Sequence, residues 1–216
     1  MCVICVSKSG TAQPTEAVMR QMFNRNPHGA GYMVAREGRV EISKGFMTWD
    51  EFLHAIRYEK FTAQDAVVYH FRISTQAGVG PEMTHPFPLT RDIRNCKLLD
   101  AACPIGVAHN GVIRLTSDSR DREYSDTAHY VAEILCHLVR SSDDLRDPAI
   151  LAAIERTTSS KWALMDDTGY IATVGNFITD KSGILYSNDS FRGRSGGYPR
   201  NSVVIRNFFD DDPCCF

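Results

Sequence analysis

A cysteine stands at position 2 of this 216-residue sequence, and removal of the initiator methionine leaves a first residue that carries both a thiol and a free α-amine. Nucleophile and base then belong to one residue. In small reference compounds the amine titrates near about 7.7–8.0 and the thiol near about 8.5, so at neutral pH the amine can take the thiol proton, directly or through a water. The plainer reading is a thiol packed inside a short strand, and position 2 by itself does not decide between them. A zinc or redox site at Cys2-x-x-Cys5 is disfavoured, because residues three apart on a strand project to opposite faces and no second Cys-x-x-Cys follows. His129, Glu133 and His137 share a helical spacing able to hold a metal, but they lie opposite the apolar stripe and read as a solvated face. No metal or cofactor is implied.

Other residues able to do chemistry lie on elements that the pattern predicts. Residues 2–6, CVICV, read as a buried strand, and residues 66–74, AVVYHFRIS, as another, with His70 and Arg72 on one face. Helical spacing after Pro14 gives a first helix, and Thr48 with Glu51 forms a capping box for a second. GYMVA and VEISK flank a hairpin turn at REGR. Apolar residues on both sides of Asn110-Gly111 predict a tight hairpin turn there, with outward-facing backbone donors. Ser125 caps a helix whose apolar positions run through Ala128, Val131, Ala132, Leu135, Leu138 and Val139, which puts Asp126 in its first turn. A helix from Asp147-Pro148, a hairpin about Asp167, Thr168 and Gly169, and strands at GILYS and SVVIR complete the reading. Hairpins interleaved with helices indicate an α+β domain over residues 1–216, with a Gly/Ser/Arg-rich loop at 191–200 and an acidic tail at 210–216.

Composition narrows the function classes. Lys plus Arg total 24 and Asp plus Glu 26, a net charge of −2, so a sequence-wide nucleic-acid footprint is absent. The longest apolar runs fall far short of the roughly 18 residues that span a bilayer, and residues 1–6 lack the features of a signal peptide. A cytoplasmic location is the default expectation. Seven cysteines, an odd number without a paired framework, read as reduced thiols.

Five ordered segments then resemble a known family: CVICV at the start, HFRISTQAG at 70–78, THP at 84–86, VAHNG at 107–111 and SDT at 125–127. The chain resembles the glutaminase domain of class II glutamine amidotransferases, which are N-terminal nucleophile (Ntn) hydrolases. Val3 stands where the family has a glycine, and Ile73, Gln76 and Ala128 also differ from its pattern. The resemblance implies a four-layer αββα sandwich of two stacked antiparallel sheets. It implies that Cys2 attacks the side-chain amide of glutamine, forms a thioester and releases ammonia. Asn110 and the Gly111 N–H match the oxyanion hole, Arg72 the grip on the substrate α-carboxylate with Thr75 beside it, Asp126 the partner of the α-ammonium, and His85 a supporting position near the site. His109 reads as structural. About 75 residues follow the last matched helix, too few for a second catalytic domain of ordinary size, so a separate synthetase subunit is the expected receiver of ammonia. A homo-oligomer is compatible with the sequence. Two rival readings are an Ntn hydrolase of another γ-glutamyl amide, and a catalytically silent binding module using the loop with Arg192, Arg194 and Arg200.

Overall fold

The computed structural model describes residues 1–74, 80–114 and 123–192. Two apolar, β-branched runs form its centre: β1, Val3–Ser7, and β4, Val67–Phe71, pair antiparallel from Val3↔Phe71 to Ser7↔Val67. Every residue of both strands is buried, which is why their sequences run apolar without alternation. β2, Ala30–Arg36, and β3, Arg39–Phe46, form the hairpin expected at REGR. Its two turn residues, Glu37 (φ 50°) and Gly38 (φ 71°), both take the left-handed conformation that a two-residue hairpin turn needs. With β6, Asp100–Cys103, at one edge and the short pair β10, Ile178–Thr179, and β11, Leu185–Tyr186, at the other, the first sheet has the order β10-β11-β1-β4-β2-β3-β6.

The second sheet has the order β5-β7-β8-β9, from β5 (Phe87–Pro88), β7 (Ile105–Asn110), β8 (Lys161–Asp166) and β9 (Ile171–Val174). Its pairs are all antiparallel, and β8 and β9 form the expected hairpin about Thr168-Gly169. Three apolar clusters define the layers. One packs α1 (Glu16–Arg25) and α2 (Trp49–Glu59) on the outer face of the first sheet through Met22, Phe52 and Tyr69. A second packs the helical run from Asp126 and α5 (Pro148–Thr158) on the outer face of the other sheet through Leu135, Ile154 and Trp162. The third lies between the sheets, where Ile4, Val6, Met33 and Val68 meet Ala108, Ala163 and Met165. The architecture is α+β, with two antiparallel sheets stacked between helical layers. No helix among the described residues is long and apolar enough to cross a membrane.

Local chemistry sets the helix ends. Thr48 Oγ1 accepts from Glu51 N–H while the Glu51 carboxylate accepts from Thr48 N–H, the capping box expected from the sequence. Ser125 Oγ accepts from Ala128 N–H at the start of α3, Asp126–Tyr130, which runs on as a π-helical turn, Val131–Leu135, and a last turn, α4, Cys136–Leu138.

Two expectations are corrected. Asn110-Gly111 is not a hairpin turn: both edges of β7 are occupied, by β5 and β8, so the residues after Gly111 have no strand of that sheet to return along. Nor is the His129 face fully solvated: His129 is buried, packs edge-on to Tyr124 and bonds the Glu133 carboxylate at 2.8 Å, while Glu133 and His137 are exposed. The calls for SVVIR, the acidic tail and most of the 191–200 loop lie outside the described residues.

The sheets are in close contact at Gly106, where an added Cβ would meet Met33 Sδ at 2.7 Å and Val40 Cγ1 at 3.0 Å. Gly106→Val should therefore wedge the sheets apart and cost about 1–3 kcal/mol, read as a lower urea midpoint with an unchanged m-value. An unchanged midpoint would show that this contact is not close-packed.

Candidate active site

The β1–β4 register builds the site. Val3 opposite Phe71 puts Cys2, one residue before β1, beside Arg72 and Ile73, just past the end of β4. Ile73 N–H donates to Cys2 Sγ at 3.4 Å, and Sγ lies 3.5 Å from Ile73 O. Of the five described cysteines only Cys2 is not buried. Strand alternation turns Cys5 into the core beneath the helices, while Ile4 and Val6 face the second sheet and Cys2, one residue before β1, keeps its Sγ against the Ile73 backbone. Burial pushes the Cys2 thiol up, against the opposing pull of the Ile73 N–H, the Arg72 guanidinium and the N-terminal charge.

Arg72 is buried, and its backbone is fixed on both sides: its N–H donates to Gly29 O at 2.8 Å and its carbonyl accepts from His28 N–H at 3.0 Å. Burial lowers the guanidinium pKa, while the fields of Cys2, Asp126 and Glu82 oppose that shift. One cation thus senses both the thiol and the carboxylate of a helix that begins more than fifty residues later. Asp126 is held in place by backbone donors, from Ile113 N–H at 2.7 Å and Thr127 N–H at 2.9 Å, which tie the segment after β7 to the helix start.

Asn110 ends β7, opposite Lys161 of β8, and its side-chain amide lies 2.8 Å from Ser187 Oγ. That hydroxyl also accepts from Ile4 N–H at 2.9 Å, and the next residue, Asn188, donates through Nδ2 to Cys2 O at 2.8 Å. The Ser187-Asn188 pair after β11 therefore clamps the nucleophile strand and Asn110 together. Gly111 is pressed against Ser160: a Cβ there would collide with the Ser160 Oγ and sit 2.7 Å from its Cβ, so only glycine brings this backbone so close. Lys161 Nζ donates to Ser187 O, closing the same corner.

Behind this corner three histidines are buried. His70 of β4 and His85 both reach the His109 carbonyl, through Nε2 at 3.0 Å and Nδ1 at 3.1 Å. The same two ring nitrogens lie 3.2 Å from each other, so both imidazoles and the carbonyl, with its two lone pairs, form one buried polar cluster. His109 Nδ1 in turn bonds Thr127 Oγ1 at 2.8 Å, next to Asp126. Burial holds both His70 and His109 down to about 3, and His85 well below the usual imidazole range.

The structure puts Cys2 beside Arg72, whose guanidinium lies in the fields of Cys2 and Asp126, and links Asn110 to the strand of Cys2 through Ser187. His85 is instead packed with His70, Phe87 and His109, of which His70 stands close along the chain to Arg72 and His109 next to Asn110. Thr75 lies outside the described residues. Sequence reasoning missed Ser187 and Asn188; their only signal was a polar pair directly after an apolar strand.

No protein-family model and no curated protein matches this chain. Solved structures do. Glutamine phosphoribosylpyrophosphate amidotransferase from B. subtilis, complexed with ADP and GMP, matches at 17% identity and a TM-score of 0.47, over 87% of this chain and 42% of that one. A structure described as the allosteric regulatory enzyme of purine biosynthesis matches at 16% identity and a TM-score of 0.44, again over 87% of this chain and 42% of that one. The chain thus spans less than half the length of either.

The histidine cluster sets an acid limit. Above pH 6.5 the imidazoles are neutral whether folded or not; below it the unfolded chain binds protons that folded His70 and His109 refuse until about pH 3, so stability falls across that window. The urea midpoint should drop between pH 7 and pH 5, and His70→Gln should remove up to about 1.4 kcal/mol per pH unit of that dependence. Equal slopes in the two proteins would take His70 out of the acid response.

Proposed function

We propose that the chain is a glutaminase of the class II amidotransferase type, hydrolysing the side-chain amide of glutamine through a Cys2 thioester. The observation that carries the reading is a partly exposed thiol and a buried guanidinium at the ends of β1 and β4, with the guanidinium also in the field of a carboxylate from the first turn of α3. These are the groups needed for a reacting amide and for the two charged ends of a free amino acid.

In this mechanism Met1, which is 76% exposed and therefore open to a processing enzyme, is removed. The new α-amine takes the thiol proton. A base is needed because burial holds the thiol protonated at neutral pH. The thiolate attacks the amide carbon, Asn110 and the Gly111 N–H take up the charge on oxygen, and the protonated amine returns its proton to the departing ammonia. Water then adds to the thioester and releases glutamate. Arg72 suits the substrate α-carboxylate because its planar fork matches two oxygens, and Asp126 suits the α-ammonium. Thr75 adds a hydroxyl contact and His85 supports the site from behind. The ammonia serves a synthetase that is a separate subunit.

Ammonia release from glutamine should be abolished in Cys2→Ala, while Arg72→Lys should raise KM for glutamine about ten- to hundredfold with a smaller change in kcat, as loss of a charge-assisted pair predicts. Steady-state assays with glutamine and with γ-glutamyl amides lacking a free α-carboxylate check both. Turnover by Cys2→Ala equal to wild type, or no preference for the free amino acid, contradicts the reading.

A further inference from the structure

The hydroxyl of Ser187 is fully buried and lies at the meeting point of two strands. Ile4 N–H donates to its Oγ at 2.9 Å, its own N–H donates to Ile4 O at 2.9 Å, and the Asn110 side-chain amide is 2.8 Å away. A hydroxyl offers one hydrogen and two lone pairs. With the amide nitrogen toward Ser187, both lone pairs are used, the hydroxyl hydrogen has no acceptor, and Asn110 Oδ1 is buried with no hydrogen-bond partner among the described residues. A half-turn of the amide gives the hydroxyl hydrogen an acceptor and the amide oxygen a donor. Ser187 O–H then donates to the amide oxygen, Oγ still accepts from Ile4, and an NH2 group occupies the place of the stranded oxygen. The partnerless buried group at this corner is then a donor, which a developing oxyanion requires, where a stranded oxygen would repel it.

We propose that Ser187 is a positioning residue: its hydroxyl locks the Asn110 amide with the NH2 group presented to the carbonyl oxygen of the bound amide. This rests on the proposed glutaminase function. The terminal torsion of asparagine is broad and two-fold, so nothing in the side chain itself chooses the face. Ser187 also fixes the distance between the two halves of the site, since the same atom holds Ile4, two residues from the thiol, and Asn110. Asn188 extends the clamp to the Cys2 carbonyl.

The test is a double-mutant cycle in ammonia release, with Ser187→Ala, Asn110→Ala and the double variant. Ser187→Ala should lower kcat about ten- to hundredfold, less than or equal to the loss typical for an oxyanion donor, with KM for glutamine within about twofold of wild type. The double variant should be no slower than Asn110→Ala alone, because Ser187 acts through Asn110. Alkylation of Cys2 by iodoacetamide, which forms no oxyanion, should keep its wild-type rate and reports that the site is folded. If Ser187→Ala does not fold, Ser187→Cys keeps the volume with a weak donor and enters the same cycle with the same expected pattern. An unchanged kcat, or losses that multiply in the double variant, overturns the role of Ser187 while leaving the glutaminase reading intact. Wild-type protein that releases no ammonia overturns the function itself, and the positioning role with it.

Discussion

The pairing of β1 with β4 is the constraint on which the rest depends. Both strands are buried on both faces, so a slip of one residue would turn Ile4 and Val6 away from the second sheet and Val3 and Cys5 away from the helices. The core forbids that slip. Because Val3 must face Phe71, the residue before one strand and the residues after the other are forced together, and those residues are Cys2, Arg72 and Ile73. The proposed chemistry sits just past the end of a fully buried strand pair, where the thiol is partly exposed.

The second sheet supplies the other half of the site by the same logic. β7 is held between β5 and β8, and its last residue is Asn110. Contact between the two halves runs through polar groups at the rim of the inter-sheet core: the three histidines on one side, the Ser187-Asn188 clamp on the other. Burial decides the state of the three imidazoles and the thiol. It keeps the imidazoles neutral and the thiol protonated, so in the proposed chemistry the thiol depends on a neighbouring amine rather than on its own acidity.

Much of this was legible in the sequence where the signal is local. The capping box at Thr48 and Glu51, the Ser125 cap, the hairpins at Glu37-Gly38 and Thr168-Gly169 and the strands read at 2–6 and 66–74, which form as Val3–Ser7 and Val67–Phe71, each declare themselves within a few residues. What failed was long-range. Asn110-Gly111 has the composition of a hairpin turn, but the strand beside β7 comes from fifty residues further on, and pairing at that distance leaves no local trace. Ser187 and Asn188 were invisible for the same reason: they meet Ile4, Asn110 and Cys2 only after both sheets have formed. The thiol, guanidinium, amide and carboxylate of the proposed site were singled out through an ordered resemblance of short segments, while the contacts that hold them were not.

Mass spectrometry of the protein treated with a glutamine analogue carrying an electrophilic side chain tests the account most directly, because it reads the first residue, the nucleophile and the substrate cleft together. One label should appear, on a peptide that begins at Cys2 and lacks Met1, and excess glutamine should prevent it. A retained Met1, or a label shared among other cysteines and indifferent to glutamine, would contradict the account.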